Sequence, residues 1–235
     1  MTNQIAPFGL QDLGQRDGSA PTMGLYRAFI SSSDPTPIFT GDLVQDLIGA
    51  PASGAFGPYI TQASSGLTGN GAFKGVFRGC EFLNLAVGRV VWSPFWPGAS
   101  VGGPSSQADP ICYYNANPDF YFIAQATSAA VIGSSNIGQN MSVTATSSLG
   151  SALTGQSAIA LASSTAPSSD PTRPVRLIDF YSNYAPGLFP GQPVTAAVAA
   201  AQLGFVNGTD NTTPGQIMVV ALNNIEANTT TGSSI

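Results

Sequence analysis

The sequence contains no histidine and a single lysine, Lys74, and only 8% of its 235 residues are charged. Without histidine the chain lacks the side chain that titrates near neutral pH, and with it the usual general base and the commonest metal ligand. A Ser–His nucleophile pair is therefore excluded, and the many serines read as surface or turn residues. A Ser–Lys pair would have to use Lys74, and no matching Ser-x-x-Lys occurs. Basic residues are also scarce and scattered: Arg16, Arg27, Lys74, Arg78, Arg89, Arg173 and Arg176 stand against twelve acids, for a net charge of -5. No basic stripe exists to displace counterions from a phosphate backbone, so nucleic acid is not an expected partner. No apolar run approaches the ~20 residues of a membrane-spanning helix. The N-terminal stretch has no basic segment followed by an apolar core, so neither membrane insertion nor a secretory signal is expected. Cys80 and Cys112 are the only cysteines. They are too few for a disulfide framework and, without histidine, a poor zinc site; each lies in an apolar run and is expected as a buried free thiol. No cofactor or metal is expected.

What is present is apolar and neutral-polar. Hydrophobic residues make up 43% of the chain, and the mean hydropathy of +0.16 favours folding over disorder. With so few charges the surface must be covered by hydroxyls, amides and glycine, far from the mixed charge of an ordinary soluble surface. Two explanations follow: a secreted protein with a neutral surface, or a subunit that buries much of that surface in an assembly, where neutral polar groups desolvate at lower cost than charges.

Residues 1–22, rich in Pro, Gly, Asn and Gln, read as an extended arm or loosely tethered terminus, and 23–235 as a single β domain. Predicted strands are Leu25 to Ile30, Ile38 to Val44 broken by a Gly41 turn, a weak one at Tyr59 to Thr61, Ala72 to Phe82, Gly88 to Ser93, Ile111 to Tyr114, and Asp119 to Gln125. Later ones are Met141 to Thr146, Ala158 to Ala162, Val175 to Phe180 and Ile217 to Leu222. The stretch from Asp42 to Leu47 also fits one helical turn. In the longest strand, alternation puts Phe73, Gly75, Phe77 and Gly79 on one face and Lys74, Val76, Arg78, Cys80 and Phe82 on the other. Its glycines suggest bulges. Strands punctuated by turn signals at short intervals predict a mainly β fold: a jelly-roll-like sandwich or barrel with long loops and at most one or two short helices. The helix candidate is Pro193 to Gly204, with proline near its start and glycine at its end, although Val194, Ala196, Val198 and Ala200 also fit a strand.

Chemical motifs are weak. Asp119 and Asp179, in or beside strands, are the acids that a hydrolase would use as a pair, with turn capping and edge protection as the structural alternatives. Gly208 to Thr213 lacks the spaced acids of a calcium loop and reads as an Asx turn. Asn207, Asn211 and Asn228 match the glycan acceptor rule, as Asn/Thr-rich chains often do by chance.

Several segments, in order, resemble a group of tailed-bacteriophage virion proteins that decorate or cement the capsid. They are Phe39-Thr40-Gly41-Asp42-Leu43-Val44, Gly75 to Phe82, Ser93-Pro94-Phe95-Trp96-Pro97-Gly98 and Asn117 to Phe122 with Gln125. Ile137 to Asn140, Thr154 to Ser157, Val175 to Phe180 and Val219 to Asn224 follow. The chain departs from the group in lacking a Lys/Arg-rich first segment, in having Asn117-Pro118-Asp119 for an Asp-Pro-Asp type turn, and in a longer section from Tyr181 to Ala201. The resemblance implies a mainly β, trimeric subunit, made in the host cytoplasm. It would sit on the exterior of an icosahedral head, where it bridges neighbouring major capsid proteins, and it brings no enzymatic residues. Such a subunit holds by contact area and aromatic anchors, at symmetry axes that match its own. The anchor candidates are Phe77, Phe82, Trp92, Phe95, Trp96 and Tyr121, each also a candidate for core packing; the arm is a second contact candidate. The competing readings are a carbohydrate-binding or adhesin-type virion module, using Trp92, Trp96 and tyrosines as sugar platforms, and a hydrolase using two aspartates.

Overall fold

The computed structural model describes residues 5–16, 24–47, 58–63, 73–84, 87–99, 109–144, 150–181 and 214–223. The helix candidate at 193–204, the 208–213 turn and the three glycan acceptor matches lie outside these residues. The strands in chain order are β1 (Gln11–Gln15), β2 (Tyr26–Ile30), β3 (Ile38–Phe39), β4 (Leu43–Asp46), β5 (Tyr59–Gln62), β6 (Phe73–Asn84), β7 (Arg89–Ser93) and β8 (Phe95–Trp96). They continue with β9 (Ile111–Asn115), β10 (Phe120–Gln125), β11 (Asn140–Met141), β12 (Gly150–Ser151), β13 (Gln156–Ser157), β14 (Val175–Phe180) and β15 (Ile217–Leu222). The architecture is mainly β with several sheets. Helical structure is slight: a 3-10 turn occurs at Ser134–Asn136.

Strands β4, β5, β2, β9 and β6 form a sheet that closes on itself because β4 also pairs with β6, making a five-stranded barrel; β7 extends the wall beyond β6. Closure removes the open edges of those five strands. The second large sheet has the order β1-β10-β15-β14-β11 and is antiparallel throughout.

Two cores result. Ala28, Ile30, Val44, Ile60, Phe77, Cys80, Cys112 and Tyr114 form the barrel core, joined by Ile38 and Trp96, a directly paired couple on the β3–β8 ribbon. Leu43, Phe73 and Val76 pack with Leu10, Phe122, Met141, Leu177 and Val220 in a second core shared by the barrel and the five-stranded sheet. Leu43 and Val44 thus serve opposite cores, as do Val76 and Phe77. A barrel wall buried on both faces reads as a continuous apolar run, not as an alternation.

Two expectations are corrected. A bulge in β6 between Phe77 and Gly79 leaves Arg78 unpaired against β9. The extra residue reverses the alternation, so Cys80 and Phe82 join the core of Phe77 instead of facing away from it. Of residues 1–22, read as an extended arm or loosely tethered terminus, 5–16 are described; they include β1, which pairs with β10, and the fully buried Leu10, and they leave the reading as an arm untested. Two predicted strands are also shorter than expected: Met141 to Thr146 reduces to Asn140–Met141 plus a bridge at Val143, and Ala158 to Ala162 to bridges made by Leu161. The ambiguous stretch after Gly41 is strand β4.

Candidate functional site

The six aromatic anchor candidates do not form one surface. Phe77 and Trp96 are fully buried. Trp96 donates its indole N–H to the Asp34 carbonyl at 3.2 Å and meets Phe82 edge-on at 5.7 Å between ring centres. These two side chains fill the barrel core and cannot reach a neighbour, which corrects their reading as anchors. Phe82 is partly buried against the same core. Phe95 stacks on Phe39 at 5.5 Å and keeps partial exposure. Tyr121 lies on the other sheet, away from the rest. Trp92 alone is open, at 60% exposure.

Trp92 is held on β7, which among the described residues pairs on one side only, with β6. Its ring lies across β6 because Gly79 leaves room: a Cβ there would come within 2.7 Å of the indole. Val90, 64% exposed, is two residues away and so on the same face of β7, opposite Leu83 as Trp92 is opposite Glu81. The Tyr113 hydroxyl donates to the Glu81 carboxylate at 3.2 Å beside them. The β12–β13 hairpin carries Leu153, 96% exposed. It is tethered just past β7, where Gly155 comes so near the Pro94 ring that a Cβ would sit at 2.5 Å. Edge strands are normally protected by charge, proline or cover. Here two bare apolar side chains stand on one, with Arg89 as its single charge. Val90 and Leu153 were not foreseen, although the alternation of Val90 and Trp92 on a hairpin strand was the available signal.

A second feature lies on the five-stranded sheet. A cleft of about 590 Å³ is lined by residues including Arg16, Asp119, Tyr121, Arg176, Ala221 and Asn223. The register places Gly14, Tyr121, Ala221, Arg176 and Asn140 in one row across the five strands. The Arg176 Nε–H donates to the Gly138 carbonyl at 3.1 Å.

The acids proposed for hydrolysis are not brought together. Asp119 is at the turn before β10, and Asp179 is on β14, opposite Val219, which in turn faces Ile123. Four residues along and two strands across put them roughly 16 Å apart by strand geometry, beyond the ~5–9.5 Å of glycosidase pairs. Asp179 instead accepts the Phe180 amide at 2.7 Å. The fully buried acid is Asp42. Its Oδ2 accepts the Phe39 amide and the Gln62 side-chain amide, both at 2.8 Å, while Oδ1 has no hydrogen-bond partner. Burial pushes this carboxyl up to about 6, against the opposing pull of the Phe39 amide, Ser157 and Gln62. It joins the β3–β4 turn to β5 and reads as structural. Both cysteines are buried free thiols. Among the described residues, no three His, Cys, Asp or Glu side chains gather as a metal site. No protein-family model, curated protein or solved structure matches this chain.

Proposed function

We propose that this chain is a structural virion subunit that docks on the outer face of an icosahedral phage capsid and cements neighbouring major capsid proteins. The observation that carries the proposal is the exposed Trp92–Val90 pair on β7, whose outer edge has no partner strand among the described residues. A tryptophan flanked by apolar side chains and fixed on a rigid strand is the composition of an interface hot spot. The low charge of the chain supports the same reading, since its surface is cheap to desolvate against a partner. Phe95 and Leu153 extend the contact, and the subunit acts as a trimer whose symmetry matches a capsid axis. The adhesin alternative loses one of its platforms, Trp96, to the barrel core.

The test is rebinding of the purified chain to particles that lack it. Light scattering is expected to give a trimer, and decorated particles to withstand higher temperature than bare ones. Trp92→Ala is expected to reduce occupancy at least about tenfold, the effect of losing one hot-spot residue. Equal robustness of bare and decorated particles would end the cementing role. Undiminished binding by Trp92→Ala would end the assignment of the docking edge.

A further inference from the structure

We infer that the cleft on the five-stranded sheet is a binding site for an acidic saccharide, a sugar carrying one carboxylate. This goes beyond the docking proposal and involves a different sheet. The chain has seven basic residues, and two of them, Arg16 and Arg176, line this one cleft. Both are exposed, and among the described residues neither makes an ion pair. The Arg176 guanidinium is fixed at its Nε by the Gly138 carbonyl. That bond leaves the two terminal amino groups as a pre-set fork, the arrangement that pairs a carboxylate in bidentate fashion.

The floor beside this fork is Ala221, and the next side chain in the row is Tyr121. Small floor residues between an aromatic ring and a cation make a trough in which a flat, partly apolar ring can lie against the tyrosine. Asp119 adds a hydroxyl acceptor to the same lining. The Asn223 side-chain amide nitrogen is committed to the Pro171 and Arg173 carbonyls at 3.2 and 3.0 Å, which leaves its oxygen as a further acceptor.

The mixture selects the ligand. A phosphate or polyanion, with two or more charges, would gain from the arginines but be repelled by the Asp119 carboxylate more strongly than a single carboxylate is. An acidic peptide added as a strand would need a free edge, which this sheet offers only at its outer strands β1 and β11, whereas the strands under the cleft, β10, β15 and β14, are each paired on both sides. A ring with one negative charge, several hydroxyls and an apolar face uses all the groups present. The volume, about 590 Å³, lies within the range of small-ligand sites.

The experiment is ligand-observed saturation-transfer NMR on the full chain. The probes are a glucuronic acid–N-acetylglucosamine disaccharide, the neutral N-acetyllactosamine, inorganic phosphate and a blocked Glu-Gly-Glu peptide. The acidic disaccharide is expected to bind and the neutral one to bind at least about tenfold more weakly, the loss that goes with one charge-assisted pair. Arg176→Ala and Tyr121→Ala are each expected to weaken binding by a similar factor, Arg176→Lys to recover little of it, and Arg27→Ala, which removes an exposed charge elsewhere, to change nothing. Thermal midpoints check folding. If Arg176→Ala does not fold, Arg16→Ala takes its place, with a loss of about threefold expected for an exposed cation. The inference is overturned if the acidic disaccharide gives no transfer. It is equally overturned if phosphate or the peptide binds as well as the sugar, or if binding survives the cleft substitutions. None of these outcomes bears on rebinding to particles, which reads the β7 edge with Phe95 and Leu153.

Discussion

Cys80 and Cys112 sit directly opposite one another on the antiparallel strands β6 and β9, both within the barrel core. Burial pushes the Cys80 thiol up to about 12, with the Glu81 charge adding to the rise, and raises Cys112 as well. Only thiolate reacts with disulfide reagents. Neither cysteine of the native protein is therefore expected to react with Ellman's reagent at pH 8, and both should react in denaturant. Rapid labelling of the folded chain would show that the barrel opens readily.

Asp42 predicts an unusual pH dependence. Its folded-state pKa, about 6, exceeds the ordinary 3.8, so the folded protein holds this proton between those values and the unfolded chain does not. The associated stability is present below about pH 4 and is lost as pH rises through about 6. Asp42→Asn keeps the shape without the charge. Chemical denaturation should find the variant close to wild type near pH 3 and more stable at pH 7.5, by up to about 3 kcal/mol, the equivalent of the gap between the two pKa values. A difference that does not vary with pH would refute this.

Arg78, the bulged residue of β6, ties the barrel to the second sheet. It donates to the Leu10 carbonyl at 3.2 Å, pairs with Asp12 on β1, and lies over the Phe122 ring at 5.6 Å. Burial lowers its pKa, and Asp12 opposes that fall. Arg78→Ala removes the clamp and leaves the Leu10 carbonyl without this donor and the Asp12 carboxylate with the Asn115 amide at 3.5 Å. It should cost about 2–4 kcal/mol in urea unfolding. Asp12→Asn, at the more exposed end of the pair, should cost less.

The two tryptophans are expected to separate in fluorescence. Trp92 is open and Trp96 fully buried. Acrylamide should quench one population and spare the other, and Trp92→Phe should abolish the quenchable one. Gly79→Ala should lift the Trp92 ring off β6, because the new Cβ would stand 2.7 Å from it, and so should weaken particle binding as well. A single uniform quenching constant for the native protein would contradict the placement of both rings.

Most strand positions were legible locally. β-Branched and aromatic runs bounded by Gly, Pro and Asn marked β2, β6, β7, β9, β10, β14 and β15 to within a residue or two. The faces were not legible where both sides of a strand are buried. In β4 and β6 adjacent residues serve different cores, so no alternation separates inside from outside. Phe77 and Trp96 resemble Trp92 in composition, and nothing in their neighbours says which of them a second sheet or ribbon will cover. The pairing of Arg16 with Arg176 at one cleft was also hidden, because they are 160 residues apart and meet only through the order of β1, β10, β15 and β14.

What the sequence alone determined is the chemistry withheld: no histidine, one lysine and few charges, together with the β-strand segments that local propensity and turn residues impose. Tertiary structure decided which sides of those segments are inside. The closing β4–β6 pair makes a barrel of what would otherwise be an open sheet, and one bulged residue at Arg78 shifts every later side chain of β6 to the other face. The physical reason is that register and closure depend on hydrogen bonds between strands distant in the chain. A single inserted residue reverses the two-residue period, and no local signal carries that phase across the molecule.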